Sequence, residues 1–145
     1  MKAQQALSRY FVEEGVFPAG TSTDDWVGDR WYRIGGLPVF PLVGKIKQSL
    51  ILHDLHHVVT GYHTTWRGEL ELAGWELGSG GCARHLFFWV DRLVAVLLGL
   101  IFQPRLTLRA FRKGWRQRNL YPLQASQALA IEIDELRRYV RREAA

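Results

Sequence analysis

The sequence predicts an all-α protein: a compact helical domain with a metal site on an antiparallel helical hairpin. Three observations predict it. Apolar residues recur at helical spacing in several segments, strand-like alternation is not evident, and four of the five histidines crowd between His53 and His63. The length of 145 residues suits one domain with a real core, and 48% apolar residues is ordinary for a globular chain. Within that domain, residues 1–41 read as an N-terminal helix and loop, 42–77 as the metal-binding hairpin, and 83–142 as apolar and basic C-terminal helices.

The first helix is expected over residues 2–14, with Ala6, Leu7, Tyr10 and Phe11 on one side. The N-terminal residues lack the apolar core of a secretory signal and carry Glu13 and Glu14, so an intracellular, bacterial protein is expected. Residues 15–41 are rich in Gly, Pro, Ser and Asp and have loop composition. Trp26, Trp31 and Tyr32 are expected to pin that loop to the body, with a lid over a site as the rival role.

The next helix is expected over residues 41–60. His53 and His57 are four residues apart, which puts two imidazoles on one helix face, and Val43, Ile46 and Leu50 share that face. Asp54 lies about 100° further round, and His56 falls on the other side of His53. Gly61 breaks the helix, and Thr64 or Thr65 is a fit N-cap for a second one over 65–77, stopped by the GSGG run. Glu69 sits about four residues into that second helix. With a rise of about 1.5 Å per residue, an antiparallel return brings it level with His57. Two imidazoles and two carboxylates (His53, Asp54, His57 and Glu69) are a ligand set for one divalent ion, Zn²⁺ first, with Fe²⁺ or Mn²⁺ as alternatives. Clustered histidines also occur as solvated or internally satisfied residues. Burial of the apolar stripe favours the metal, because buried imidazoles and carboxylates need a partner. Glu76 is in phase with Glu69 and is either a support for the metal ligands or an exposed acid at the face edge. His63 lies in the turn, as a spare metal ligand, a proton relay or, the favoured reading, a solvated loop histidine. The single cysteine, Cys82, excludes an intramolecular disulfide and reads as a structural thiol.

Residues 83–102, with His85 near their start, are the most apolar stretch. Asp91 and Arg92 interrupt it and leave ten apolar residues, 93–102, which cover about 15 Å of a hydrocarbon layer roughly 30 Å thick. A buried central helix is therefore expected. The functional rivals are a wall for a long apolar ligand and a homodimer interface.

Charge is unevenly placed. Residues 1–100 carry nine Lys/Arg and ten Asp/Glu; residues 101–145 carry ten and four, and the two parts sum to the net +5. Six basic residues and no acid lie between Arg105 and Arg118, interleaved with Leu106, Leu108, Phe111 and Trp115. Arg109, Arg112, Lys113 and Arg116 are expected to face an anionic membrane surface. No nucleic-acid fold motif accompanies the run, so nucleic acid ranks below membrane and is not expected as a partner. A solvated basic face is the plain alternative. The last helix is expected over 125–142, with Leu129, Ile133, Leu136 and Val140 as its core stripe.

H-D-x-x-H, eleven residues, then E resembles the metal-ligand signature of the coenzyme Q biosynthesis protein 4 family, with His53, Asp54, His57 and Glu69 in its four positions. Val58, Gly61, Thr64, Thr65 and Gly68 also look like that family, and Glu76 is similar to a second family acid. Residues 105–140 resemble the family's C-terminal helices weakly, and the first forty residues give no clear match. The chain is shorter than typical members. The resemblance implies work on ubiquinone precursors: oxidative decarboxylation at ring carbon 1 of a prenylated hydroxybenzoate-type acid. It also implies an apolar cavity for the prenyl tail, peripheral attachment to the cytoplasmic face of the membrane, and association with other ubiquinone-biosynthesis enzymes. His63 and Glu76 are the candidate catalytic residues. Two alternatives stand beside this: a non-catalytic lipid-binding scaffold with a structural metal, and a related metalloenzyme of bacterial secondary metabolism.

Overall fold

The computed structural model describes residues 1–16, 30–34, 37–42, 44–82 and 86–143, with the side chains of 30–45 excepted. Its body is helical, as the sequence predicts. In chain order come α1 (Ala3–Glu13), a hairpin of β1 (Arg30–Ile34) and β2 (Leu37–Leu42), then α2 (Gly44–Thr60), α3 (Trp66–Gly78), α4 (Leu86–Phe102), α5 (Pro104–Trp115), α6 (Ala125–Ala130) and α7 (Ile133–Arg141). The hairpin is a correction to the all-loop reading of 15–41. β1 and β2 pair antiparallel, Arg30 opposite Leu42, with a bulge between Tyr32 and Arg33. Pro38 and Pro41 lie in β2, a residue type confined to sheet edges, and both strands of a two-stranded ribbon are edges. Trp31 and Tyr32 lie in β1; what their side chains and Trp26 pack against falls outside the described residues, as do Val43 and His85.

The core forms around Leu7, Leu55, Leu72, Trp75, Leu120 and Leu136, all essentially inaccessible. α1 contributes Ala3, Ala6, Leu7 and Phe11, with Tyr10 packed at the margin. On α2 the expected stripe residues Ile46 and Leu50 are half-buried. The central helix is α3, not α4. Its residues Leu72 to Glu76 are buried without interruption. Close backbone approach explains this: a Cβ on Gly74 would stand 2.8 Å from the Thr107 carbonyl oxygen, and one on Gly114 would stand closer still to that of Trp75. Glycine is required wherever two helices cross that tightly.

α4 corrects the expectation of a buried apolar helix. Phe88, Arg92 and Gly99, spaced four and seven residues apart, form a narrow inward stripe, with Phe88 and Gly99 buried and the Arg92 side chain 11% exposed. Ten large apolar side chains between Leu86 and Phe102 are exposed, Ile101 by 70%. An apolar run with no polar face does not say which side is buried. Beside the outward face stands Trp66, whose ring meets Phe102 edge-on at 6.1 Å; Leu106, Leu108 and Trp115 are exposed as well. No helix among the described residues is long and apolar enough to cross a membrane.

The expected helix over 125–142 is divided. Lys2 and Glu132 form a β-bridge, Ala3 N–H donates to the Ile131 carbonyl, and Ile133 N–H donates to the Met1 carbonyl. These bonds hold residues 131–132 extended between α6 and α7. The stripe still holds at Ile133, Leu136 and Val140, while Leu129 is half-buried and Ala125 and Ala128 fill the core.

Candidate metal centre

The site is built on α2 and α3, joined by a short turn. Gly61 adopts φ 80°, a left-handed conformation that ends α2, and its N–H closes on the His57 carbonyl. Thr65 caps α3, its hydroxyl accepting from Gly68 N–H at 3.3 Å. Glu69 meets His57, and Glu76, two turns later, meets His53 and His56. The later acid reaches the earlier histidine, so the two helices run antiparallel.

His53 and His57 are buried, and each has one ring nitrogen tied down. The Tyr62 carbonyl lies 2.9 Å from His57 Nδ1 and 2.6 Å from the Tyr10 hydroxyl that donates to it. A carbonyl can only accept, so His57 carries its proton on Nδ1. His57 Nε2 then faces Glu69 Oε1 at 2.9 Å and, although buried, has no hydrogen bond. His53 Nδ1 lies 2.9 Å from Glu76 Oε1, and its Nε2 lies 3.4 Å from Glu69 Oε2. Two Nε2 atoms and one carboxylate thus converge, with both Nδ1 atoms held by acceptors. That is how metal-binding histidines are oriented by the groups behind them. His53, His57 and Glu69 form a group able to hold a metal ion. The orphaned Nε2 of His57 fits that role, since a buried lone pair facing a carboxylate is costly unless a cation joins them.

A second group, His53, His56 and Glu76, is also close enough in space. Its hydrogen bonds exclude His56 as a ligand. Leu120 N–H donates to His56 Nε2 at 2.9 Å, and His56 Nδ1 lies 2.7 Å from Glu76 Oε1. His56 is therefore the neutral Nδ1–H form with both nitrogens used. Its ring is wedged edge-on between Trp75 and Tyr121. Burial in this apolar pocket lowers its pKa, outweighing the Glu76 carboxylate.

Glu76 is completely buried, which settles its position against an exposed face edge. Its Oε1 accepts from the Tyr121 hydroxyl at 2.8 Å as well as from the two imidazoles. Burial opposes its charge, but His53 and His56 hold its carboxyl well below the usual range. Glu69 is likewise held low, the His53 imidazole foremost in overcoming its burial. In the metal-free protein burial works against a charge on His53, but Glu76 and Glu69 outweigh it and raise its pKa to about 10. Arg92 adds a fixed cation: its Nη1 is 3.4 Å from Glu69 Oε2 and 3.7 Å from Glu76 Oε2.

Of the four ligands expected from sequence, the structure brings together His53, His57 and Glu69. Asp54 belongs to neither group; it is half-buried and, with Glu14 and Glu69, raises the pKa of the Tyr10 phenol behind the larger effect of burial. One residue on from His53, its short side chain is turned about 100° round the helix. His63 is exposed and pairs with Glu14 at 2.9 Å, outside both groups. Cys82 is half-buried, and burial, then Glu76, pushes its thiol up to about 12, which fits a structural thiol. Arg92, Tyr121 and the Tyr62 carbonyl were not anticipated. For Arg92 a signal existed: a charged pair inside an apolar run implies buried partners. Comparison of the chain with protein-family models, with curated proteins and with solved structures finds no match.

Proposed function

We propose that this chain is a metal-dependent protein of ubiquinone biosynthesis, acting as an oxidative decarboxylase that replaces the ring-carbon-1 carboxylate of a prenylated hydroxybenzoate-type acid by hydroxyl, with dioxygen as the oxidant and CO₂ as the leaving product. The observation that carries the reading is the convergence of His53 Nε2, His57 Nε2 and Glu69, with each Nδ1 anchored. His53, His57 and Glu69 would hold one divalent ion, zinc first, with iron or manganese as alternatives; Asp54 joins them only if its side chain turns. Three ligands leave the ion open positions, as catalytic sites do. The ion, when bound, supplies a Lewis acid that stabilises negative charge on a bound carboxylate or phenolate. The chain's own residues do the rest. Glu76 orients His53 and is a positioning residue, because its oxygen bonded to the imidazoles is already saturated. The Tyr62 carbonyl orients His57. Arg92, held by Asp91 through Nε and Nη2, steadies the Glu69 carboxylate through Nη1 and is a positioning residue. The exposed apolar face of α4, with Arg109, Arg112, Lys113 and Arg116 exposed on and just beyond α5, suits peripheral attachment to the anionic cytoplasmic leaflet.

That same α4 face favours a second reading, a non-catalytic lipid-binding scaffold that gathers other ubiquinone enzymes or pairs with a second copy. One experiment separates the two. Metal content of the purified protein is measured beside His53→Ala and Glu69→Ala, followed by turnover of a prenylated hydroxybenzoate. About one ion per chain, lost in both variants, with CO₂ released from the acid, is the expected result. Metal without turnover leaves the scaffold, and no metal in a folded wild type sinks the site itself.

A further inference from the structure

We propose that the cleft between the C-terminal ends of α5 and α7 is a binding site for a phosphate group. This goes beyond the metal centre and does not depend on it. The cleft has a volume of about 600 Å³ and is lined by Arg112, Lys113, Arg116, Gln117, Arg141 and Glu143. The two helix ends are fixed against each other: Arg118 N–H donates to the Val140 carbonyl, and Arg142 Nη2 donates to the Gln117 carbonyl, both at 3.0 Å. Arg118 also lies over the Tyr139 ring. The cleft is therefore framed by joined backbone and not by loose side chains alone.

Its charge is not neutralised within the chain. Arg141 pairs with Glu143 at 2.8 Å, while Arg112 and Arg116 have no carboxylate partner among the described residues. Lys113 Nζ is turned toward the end of α2, 3.5 Å from the Thr60 carbonyl and over the Tyr62 ring, with only its stem left along the cleft. Cations at helix C-termini are ordinarily explained by the helix dipole, and that explanation can be sized. Each helix end contributes roughly half a negative charge. Arg112, Arg116 and Arg141 against one carboxylate and two helix ends leave about +1, an excess of positive charge that favours an anion such as a phosphate monoester, which carries roughly −1.5 to −2 near neutral pH. A neutral donor is placed there too. The buried Trp75 indole N–H donates to Gln117 Oε1 at 2.7 Å, which leaves the Gln117 amide NH₂ as the free end. Guanidinium forks and an amide NH₂ are the donor set that planar, multidentate recognition of phosphate uses. The phosphate comes either from a free phosphate compound or from a lipid headgroup.

The test uses the protein as purified, at fixed ionic strength. Inorganic phosphate and glycerol 3-phosphate are titrated calorimetrically, and sedimentation with phosphatidylcholine vesicles is compared with and without phosphatidic acid. Arg116→Gln and Arg141→Gln, on different elements, are each expected to weaken binding about tenfold. Arg105→Gln, on α5 but roughly 10 Å from Arg112, should change it less than about twofold. That pattern with the soluble phosphates assigns a free ligand; the same pattern with phosphatidic acid vesicles alone assigns a headgroup. Equal losses in all three variants, or no saturable binding in either arm, would overturn the site and leave only a diffuse basic face.

Discussion

His56 and His57 are neighbours in sequence and opposites in chemistry. His56 has both ring nitrogens bonded, to Leu120 N–H and to Glu76, inside a box of Trp75 and Tyr121. His57 has one nitrogen bonded to a carbonyl and the other buried, unbonded and aimed at a carboxylate. Both sit at the α2–α3 contact, and both are almost wholly inaccessible. Burial therefore does not separate a structural histidine from a ligand. The difference lies in whether every lone pair and every proton is already spoken for. His53 stands between the two: Glu76 ties it to His56, and Glu69 ties it to His57.

The sharpest way to break this comparison is to exchange the two positions. His57→Ala should weaken metal binding more than about 100-fold, since a ligand is a larger loss than the 10–100-fold typical of a group behind one. His56→Asn should leave metal affinity within about twofold and instead cost about 2–3 kcal/mol of stability. Chelator competition and urea denaturation read the two quantities separately. Stoichiometric metal retained in His57→Ala, or lost in His56→Asn, would reverse the assignment.

Glu76→Gln comes next, because Glu76 is the link between the clusters. An amide oxygen keeps the shape but not the charge that holds two imidazoles and a phenol. Metal affinity should fall about 10–100-fold and stability by about 3 kcal/mol. A variant that loses stability alone would confine Glu76 to the structural cluster.

The two clusters also oppose each other in pH. His53, raised from 6.5 to about 10 in the metal-free protein, contributes stability that is complete below pH 6.5 and is lost as pH rises through about 10. Metal must displace that proton, so metal affinity should rise over the same window. His56, lowered by burial, contributes stability that is lost as pH falls below 6.5. Apo stability and metal affinity are thus expected to slope in opposite directions between pH 6.5 and 10. Parallel slopes would mean that His53 is not the shared residue.

The smallest expected effect belongs to Tyr121→Phe, which removes one of three donors to Glu76 Oε1. Stability should fall by about 1–2 kcal/mol with metal affinity unchanged. A fall in affinity comparable with that of Glu76→Gln would extend the metal's support out to Tyr121.

Much of this was legible in the sequence because it is local. The i, i+4 spacing of His53 and His57, the Gly61 stop, the Thr65 cap and the distance to Glu69 all act within a few residues of one another. Helical geometry converts such spacings directly into position. The phase of Glu76 with Glu69 was visible for the same reason. What the chain order did not contain came from contacts between distant segments. Leu120 N–H decides that His56 is satisfied, Tyr121 and Arg92 decide the charge state around Glu76, and the Met1–Ala3 segment divides α6 from α7. The apolar run of α4 shows the limit most clearly. Hydrophobicity states that a surface is to be covered, but only tertiary packing decides which surface. The close crossing of α3 and α5 through Gly74 and Gly114 made α3 the centre and left most of α4 facing outward. The sequence by itself determined which side chains share a helix face. Only the tertiary structure determined which of their nitrogens and oxygens were left without partners, because that depends on donors and acceptors arriving from elsewhere in the chain.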